Sequence, residues 1–210
     1  PTETLPGMSN DEIVLRPASS ATLTGYWIIE RDCTAAGGER GVNLDMNLPR
    51  AGAVAEPVDY FEMTFTVDAG KPYRLWMRAK AHRNNWRNDS VFVQFSGAVN
   101  ALGEPVHRIG TDDRTWYSLE ECISCGVSGW GWQDTGFGAG VLGPEIYFAV
   151  SGPQTIRVQR REDGIEFCGA PAVEPVADHH GRGFSGTGHQ RQKDLVPPGP
   201  HGGEEERIAL

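Results

Sequence analysis

Residues 60–81, YFEMTFTVDAGKPYRLWMRAKA, carry the pattern that decides the fold class. In the first run Phe61, Met63, Phe65 and Val67 share one face, and Tyr60, Glu62, Thr64 and Thr66 share the other. A period of two is the signature of a half-buried strand, because successive side chains point to opposite faces. The turn Asp68-Ala69-Gly70-Lys71-Pro72 follows, and then Tyr73, Leu75, Met77 and Ala79 again line one side. The spacing predicts two strands joined as an antiparallel unit. Further strands are expected at Asp11 to Leu15, Tyr26 to Glu30, Ser90 to Ser96, Glu145 to Val150 and Thr155 to Arg160, with Gly, Pro and Asn between them. No window carries a helical stripe. The expectation is an all-β chain folded as a two-sheet antiparallel β-sandwich, a jelly roll.

The 210 residues suffice for one domain of ordinary size with an appendage. A formal charge of -9 offers no footprint for a phosphate backbone and is repelled by an anionic bilayer, so neither nucleic acid nor membrane is an expected partner. No apolar run approaches the roughly 18 to 20 residues that span a bilayer. PTETLPGMSNDEI has neither a basic n-region nor an apolar h-region. The chain reads as soluble, either cytosolic or exported with its signal peptide removed.

The domain is expected over residues 11–168, preceded by an arm at 1–10. From Gly169 to Leu210 the chain turns rich in Gly and Pro and loses both periods. Such a segment buries too little surface to offset its ordering entropy, so a flexible tail is expected. Its histidines, His179, His180, His189 and His201, are read as solvated rather than as a metal site.

Cys33, Cys122, Cys125 and Cys168 permit several pairings. Cys122 and Cys125, in CISC, are a candidate local disulfide or a pair of buried thiols. A redox pair needs a βαβ context, and a zinc site needs a second ligand pair. The run GAGVLG at 138–143 spells a dinucleotide fingerprint, but Pro144 and a strand follow it where a helix is required. FSGTG misses the nucleophile elbow. Asn88-Asp89-Ser90 spells a glycosylation acceptor, which has meaning only in a eukaryotic secretory pathway.

Two loops concentrate recognition chemistry. AHRNNWRND, residues 81–89, sets Arg83, Asn84, Asn85 and Asp89 around Trp86. A pyranose offers an apolar C–H face to an aromatic ring and hydroxyls to planar amides, carboxylates and guanidinium groups, so this loop is a candidate sugar site. The alternative is a polar loop whose tryptophan turns inward. SGWGWQDTG, residues 128–136, places Trp130 and Trp132 two apart and so on one side. Trp130 is expected to pack beside Cys122 and Cys125, while Trp132, Gln133 and Asp134 are the ligand candidates. On the strand at 73–81, Trp76 alternates with Arg74 and Arg78, which predicts an Arg stacked on Trp76.

The segments YFEMTFTVDAGKPYRLWMRAKA, NDSVFVQFSG and PEIYFAVSGPQTIRVQRREDGIEF together resemble the β-jelly-roll carbohydrate-binding modules of the family 6 and family 35 type, within the galactose-binding-like sandwiches. The resemblance runs from about Asp11 to Phe167. It implies a ligand site in loops at one end or on a concave sheet face, where Trp86, Asn84, Asn85, Trp130 and Trp132 fall. It implies export and often a structural calcium ion, with Glu12, Glu30 and Asp32 as candidate ligands. The late acidic position expected after Phe167 holds Cys168, and the final strand is absent. A missing strand leaves an open sheet edge, so a tail stretch such as Ala172 to Ala177, or a second copy in a homodimer, is expected to fill it.

The functional expectation is a non-catalytic, secreted module that binds a polysaccharide or glycan weakly through loop tryptophans. A structural or protein-interaction sandwich is the alternative. A small glycan-active hydrolase is the third reading, since Asp112, Asp113, Glu120, Glu121 and Asp134 lie near the tryptophan loop. Such an enzyme needs two carboxyl groups about 5 to 9.5 Å apart.

Overall fold

The computed structural model of the chain describes residues 21–35 and 37–168, and the backbone of two further strands, Glu12–Val14 and Glu206–Ala209. The strands in chain order are β1 Glu12–Val14, β2 Thr22–Thr24, β3 Trp27–Arg31, β4 Glu39–Asn43, β5 Tyr60–Val67, β6 Tyr73–Ala81 and β7 Ser90–Phe95. They continue as β8 Ala98–Val99, β9 Thr115–Ser118, β10 Gly131–Asp134, β11 Tyr147–Phe148, β12 Gly152–Arg160, β13 Ile165–Cys168 and β14 Glu206–Ala209. No α-helix occurs among the described residues, and none of their helical turns is long and apolar enough to cross a membrane.

The protein is a two-sheet β-sandwich. One sheet has five antiparallel strands in the order β2-β5-β12-β7-β9. The other has seven, ordered β1-β14-β6-β13-β4-β3 with β10 also on β6. The expected hairpin of β5 and β6 is corrected here: each run is a strand, but they belong to different sheets. The turn between them carries the chain across the sandwich, so Phe61, Met63, Phe65 and Val67 face Tyr73, Leu75, Met77 and Ala79 through the core. Two complementary apolar faces are buried more fully opposite one another than side by side. Tyr73 braces the crossing, its hydroxyl oxygen accepting from the Asp68 amide at 2.7 Å. Phe148 then meets Phe65, Tyr73 and Phe95 edge-on at 5.5 to 5.9 Å, the arrangement aromatic quadrupoles favour.

The partners of β6 settle how the expected missing strand is replaced. Trp76 pairs with both Asp134 and Ala209, and Ala79 with both Gly131 and Phe167. A strand has only two edges, so β13 and β14 lie end to end along one edge of β6 and β10 lies along the other. The backbone of Glu206–Ala209 thus runs parallel to β6 where β13 stops, and β1 pairs with it in turn. Residues 172–177 lie outside the described residues. The expected strand at Glu145 to Val150 shortens to β11, with Ile146 bridging Tyr73 instead.

Candidate functional site

The loop between β6 and β7 folds as two 3-10 turns, His82–Asn84 and Trp86–Asn88. Its amides serve local structure first. Asn85 caps the second turn by accepting from the Arg87 amide at 3.1 Å, and Asn84 accepts from the Gly129 amide at 2.9 Å, which ties the two tryptophan loops together. Arg83 and Asn84 sit at φ 55° and 54°, a conformation asparagine tolerates better than most residues. Trp86 is left 51% exposed, with the Arg87 guanidinium 5.0 Å from its ring centre.

Trp86 forms one wall of a cleft of about 500 Å³. That volume lies within the range typical of small-molecule sites. Trp116 and Phe137 line the cleft as a pair, their ring centres 5.2 Å apart at 39°. Trp116 reaches the cleft because β9 alternates: Tyr117 points into the core, and Trp116 and Ser118, opposite Phe92 and Ser90 of β7, point out. Arg161 lies over Trp116 at 4.7 Å and over Phe92 at 5.9 Å. Ile123 and Ser124 form the lip, held in the loop that the disulfide Cys122–Cys125 closes. The local-disulfide reading of CISC is the one present, while Cys33 is an exposed thiol and Cys168 a buried one.

The floor is acidic and buried. Asp89 accepts from the Ser118 hydroxyl at 3.2 Å and from the Glu120 amide at 3.1 Å. Glu162 lies against it, gripped by Arg50 and by the Ser90 hydroxyl, with Arg161 at 3.5 Å. Burial, then the hydrogen bond and charge of Glu162, push the Asp89 carboxyl up to about 7. Of the candidate sugar loop, Trp86 and Asp89 line this cleft, whereas Arg83, Asn84, Asn85, Trp130, Trp132, Gln133 and Asp134 do not; Arg50, Trp116, Ser118, Ile123, Phe137 and Arg161 were not anticipated. Trp116 and Ser118 carried a signal, the alternation of TWYS. The two arginines carried none, because they come from distant loops.

The second candidate loop lies elsewhere. Trp130 is half-buried on the outer face of the seven-stranded sheet, its ring 5.4 Å from the Arg78 guanidinium and 5.0 Å from the Lys80 ammonium. Its indole N–H donates to Thr34 Oγ1 at 3.0 Å, and that hydroxyl donates to Asp32 at 2.6 Å. These contacts, rather than the cysteine pair, hold Trp130. Trp132, half-buried, lies opposite Arg78 on the same face, outside the cleft, and Gln133 lies opposite Met77 and so turns to the inner side. Asp134 is an anchor: it accepts from the Gly136 amide at 2.8 Å and the Gly143 amide at 2.7 Å. The cation–ring pair expected on Trp76 forms on Trp130, and Arg74 instead donates to the Gly143 carbonyl.

Two of the residues expected to hold calcium, Glu30 and Asp32, are engaged by cations. Arg40 bridges Glu30 at 2.8 Å and Asp32 at 3.2 Å, and Lys80 lies 3.6 Å from Asp32. The side chain of Glu12 lies outside the described residues. Among the described residues no three His, Cys, Asp or Glu side chains converge on a common point. The carboxylates weighed for hydrolysis serve loop amides: Glu120 accepts from Gly126 at 3.0 Å, Glu121 from Gly140 at 2.8 Å, and Asp113 from His107 at 2.5 Å.

The fold and cleft define a β-sandwich with an aromatic, loop-built cleft at the edge of its five-stranded sheet. Among solved structures, a family 35 carbohydrate binding module from Clostridium thermocellum is similar over 74% of this chain and 97% of that one, at 13% identity and a TM-score of 0.38. No family model and no curated protein matches the sequence.

Proposed function

We propose that the chain is a non-catalytic carbohydrate-binding domain and that the Trp86–Trp116–Phe137 cleft is its glycan site. The observation that supports this reading is the convergence of three aromatic rings with arginines, a serine hydroxyl and carboxylates in one cleft of saccharide size. A ring presents a surface for the C–H face of a pyranose, and the polar groups pair with its hydroxyls. The disulfide favours an oxidising, extracellular setting.

Burying an exposed indole against a sugar contributes on the order of 1 to 2 kcal/mol, at about 25 cal/mol per Å². A few such contacts, set against the cost of association, yield dissociation constants of roughly millimolar to micromolar. The test is retention on a panel of soluble and insoluble polysaccharides, with and without calcium. Trp86→Ala and Trp116→Ala are each expected to weaken binding about tenfold, the equivalent of about 1.4 kcal/mol. Trp132→Ala is expected to bind as the parent does. Unchanged retention by both cleft variants, or loss in Trp132→Ala alone, removes the cleft as the site.

A further inference from the structure

Beneath the cleft, Asp89 and Glu162 are 3% and 4% exposed, and a facing pair of serines brings them together: Ser118 donates to Asp89, and Ser90, opposite it across β7 and β9, donates to Glu162. Two carboxyl groups buried side by side favour sharing one proton, because adjacent anions out of water repel one another. The charged groups around the pair come from four sides. Arg50 reaches Glu162 from the loop before β5, and Arg161 flanks it at the end of β12. Glu120 lies beside Ser118 after β9, with its amide on Asp89. From β9, Tyr117 is wholly buried, its phenol pushed up by burial and then by the charges of Asp89 and Asp134. Arg161 also donates to the Ser90 hydroxyl, which itself donates to Glu162.

We propose that the cleft is proton-gated: Asp89 and Glu162 hold one proton between them, and its release pulls Arg50 and Arg161 toward the floor and away from the aromatic wall. The inference rests on the reading of the cleft as a ligand site, but its test needs no ligand. With the proton in place, one negative charge faces two guanidinium groups, and Arg161 lies over the Trp116 ring at 4.7 Å. Removing it leaves two adjacent buried anions. Their mutual repulsion and stronger attraction for the arginines compete with the ring contact, which is worth less than a buried ion pair at this range. The protonated form is therefore the one with Trp116 braced for a ligand.

The sign for stability follows. An acid held at about 7 in the native state, against an ordinary 3.8, binds its proton more tightly when folded. Stability contributed by this pair is greatest below about pH 4, declines as the pH rises toward 7 and is level above. The side-chain amide in Asp89→Asn mimics the protonated acid, accepting from Ser118 and the Glu120 amide and donating to Glu162, so this variant loses that decline.

The experiment follows the indole N–H resonance of Trp116 by NMR in the full chain over roughly pH 5 to 9, assigned by its disappearance in Trp116→Phe. It is expected to shift with a midpoint near 7. Asp89→Asn is expected to hold it still and to melt above the parent at the alkaline end only, while Glu162→Gln, which leaves Asp89 buried without its neighbouring charge, is expected to move the midpoint down. A resonance that does not move in the parent, that still titrates in Asp89→Asn, or whose midpoint is unchanged in Glu162→Gln overturns the proposal.

Discussion

Asp59→Ala destabilises the fold by about 3 to 5 kcal/mol, the cost of leaving a buried cation and its hydrogen-bonded neighbours without their anion. Asp59 is 7% exposed and joins both sheets. Its Oδ1 accepts from the Tyr26 amide at 3.0 Å and from Asn43 Nδ2 at 2.9 Å, at the start of β3 and the end of β4. Its Oδ2 lies 3.0 Å from Nε of Arg160, whose amide donates to the Asp59 carbonyl at the end of β12. Gly25 fits the turn beneath it at φ +79°, where a Cβ would stand 2.7 Å from Oδ1. Alanine removes both carboxylate oxygens, keeps only the backbone carbonyl, and leaves Arg160 charged and mostly buried. The loss is read as a lowered urea midpoint with an unchanged slope. Asp59→Asn, which keeps one acceptor, is expected to lose less. A change below about 1 kcal/mol in Asp59→Ala makes the ion pair a solvated surface contact instead.

The contrast between strands and site lies in what a period can encode. Alternation assigned Phe61 to Val67 and Tyr73 to Ala79 to apolar faces correctly, because a face is a local property of one strand. It could not assign partners: two such strands serve equally as neighbours in one sheet or as opposite walls of a core. The five-residue turn permitted both. β13 escaped notice because it is only four residues long and its one polar alternate, Glu166, is buried against Arg40 and Lys80 rather than facing solvent. The site divides in the same way. Trp86 stood out because an indole among amides is conspicuous in a single loop. Trp116 is visible only once β9 is paired with β7, and Arg50 and Arg161 only once Glu162 gathers them. Trp130 and Asp134 were conspicuous for the right chemistry and the wrong purpose, since neither Thr34 nor Gly143, which claim them, is near in the motif that drew attention.

Asp134→Asn is expected to cost about 3 kcal/mol and to weaken the cleft with it, because both carboxylate oxygens accept buried amides and asparagine has only one to offer. Either Gly136 or Gly143 then faces an NH₂ group, donor against donor, at a position 2% exposed. The loop cannot relax far. A Cβ on Gly136 would overlap the Val141 carbonyl and one on Gly143 would overlap Thr135 Oγ1, while Arg74 holds the Gly143 carbonyl from the other side. Phe137 rides on that loop and packs against Trp116, so disturbing the anchor moves a wall of the cleft without touching any residue that lines it. Gly143→Ala should reproduce the effect through steric exclusion alone. Both are measured by urea unfolding and by the Trp116 indole resonance, which is expected to shift in each. If Asp134→Asn keeps its stability and that resonance yet loses polysaccharide retention, Asp134 touches the glycan directly, and its two glycine amides are incidental to its role.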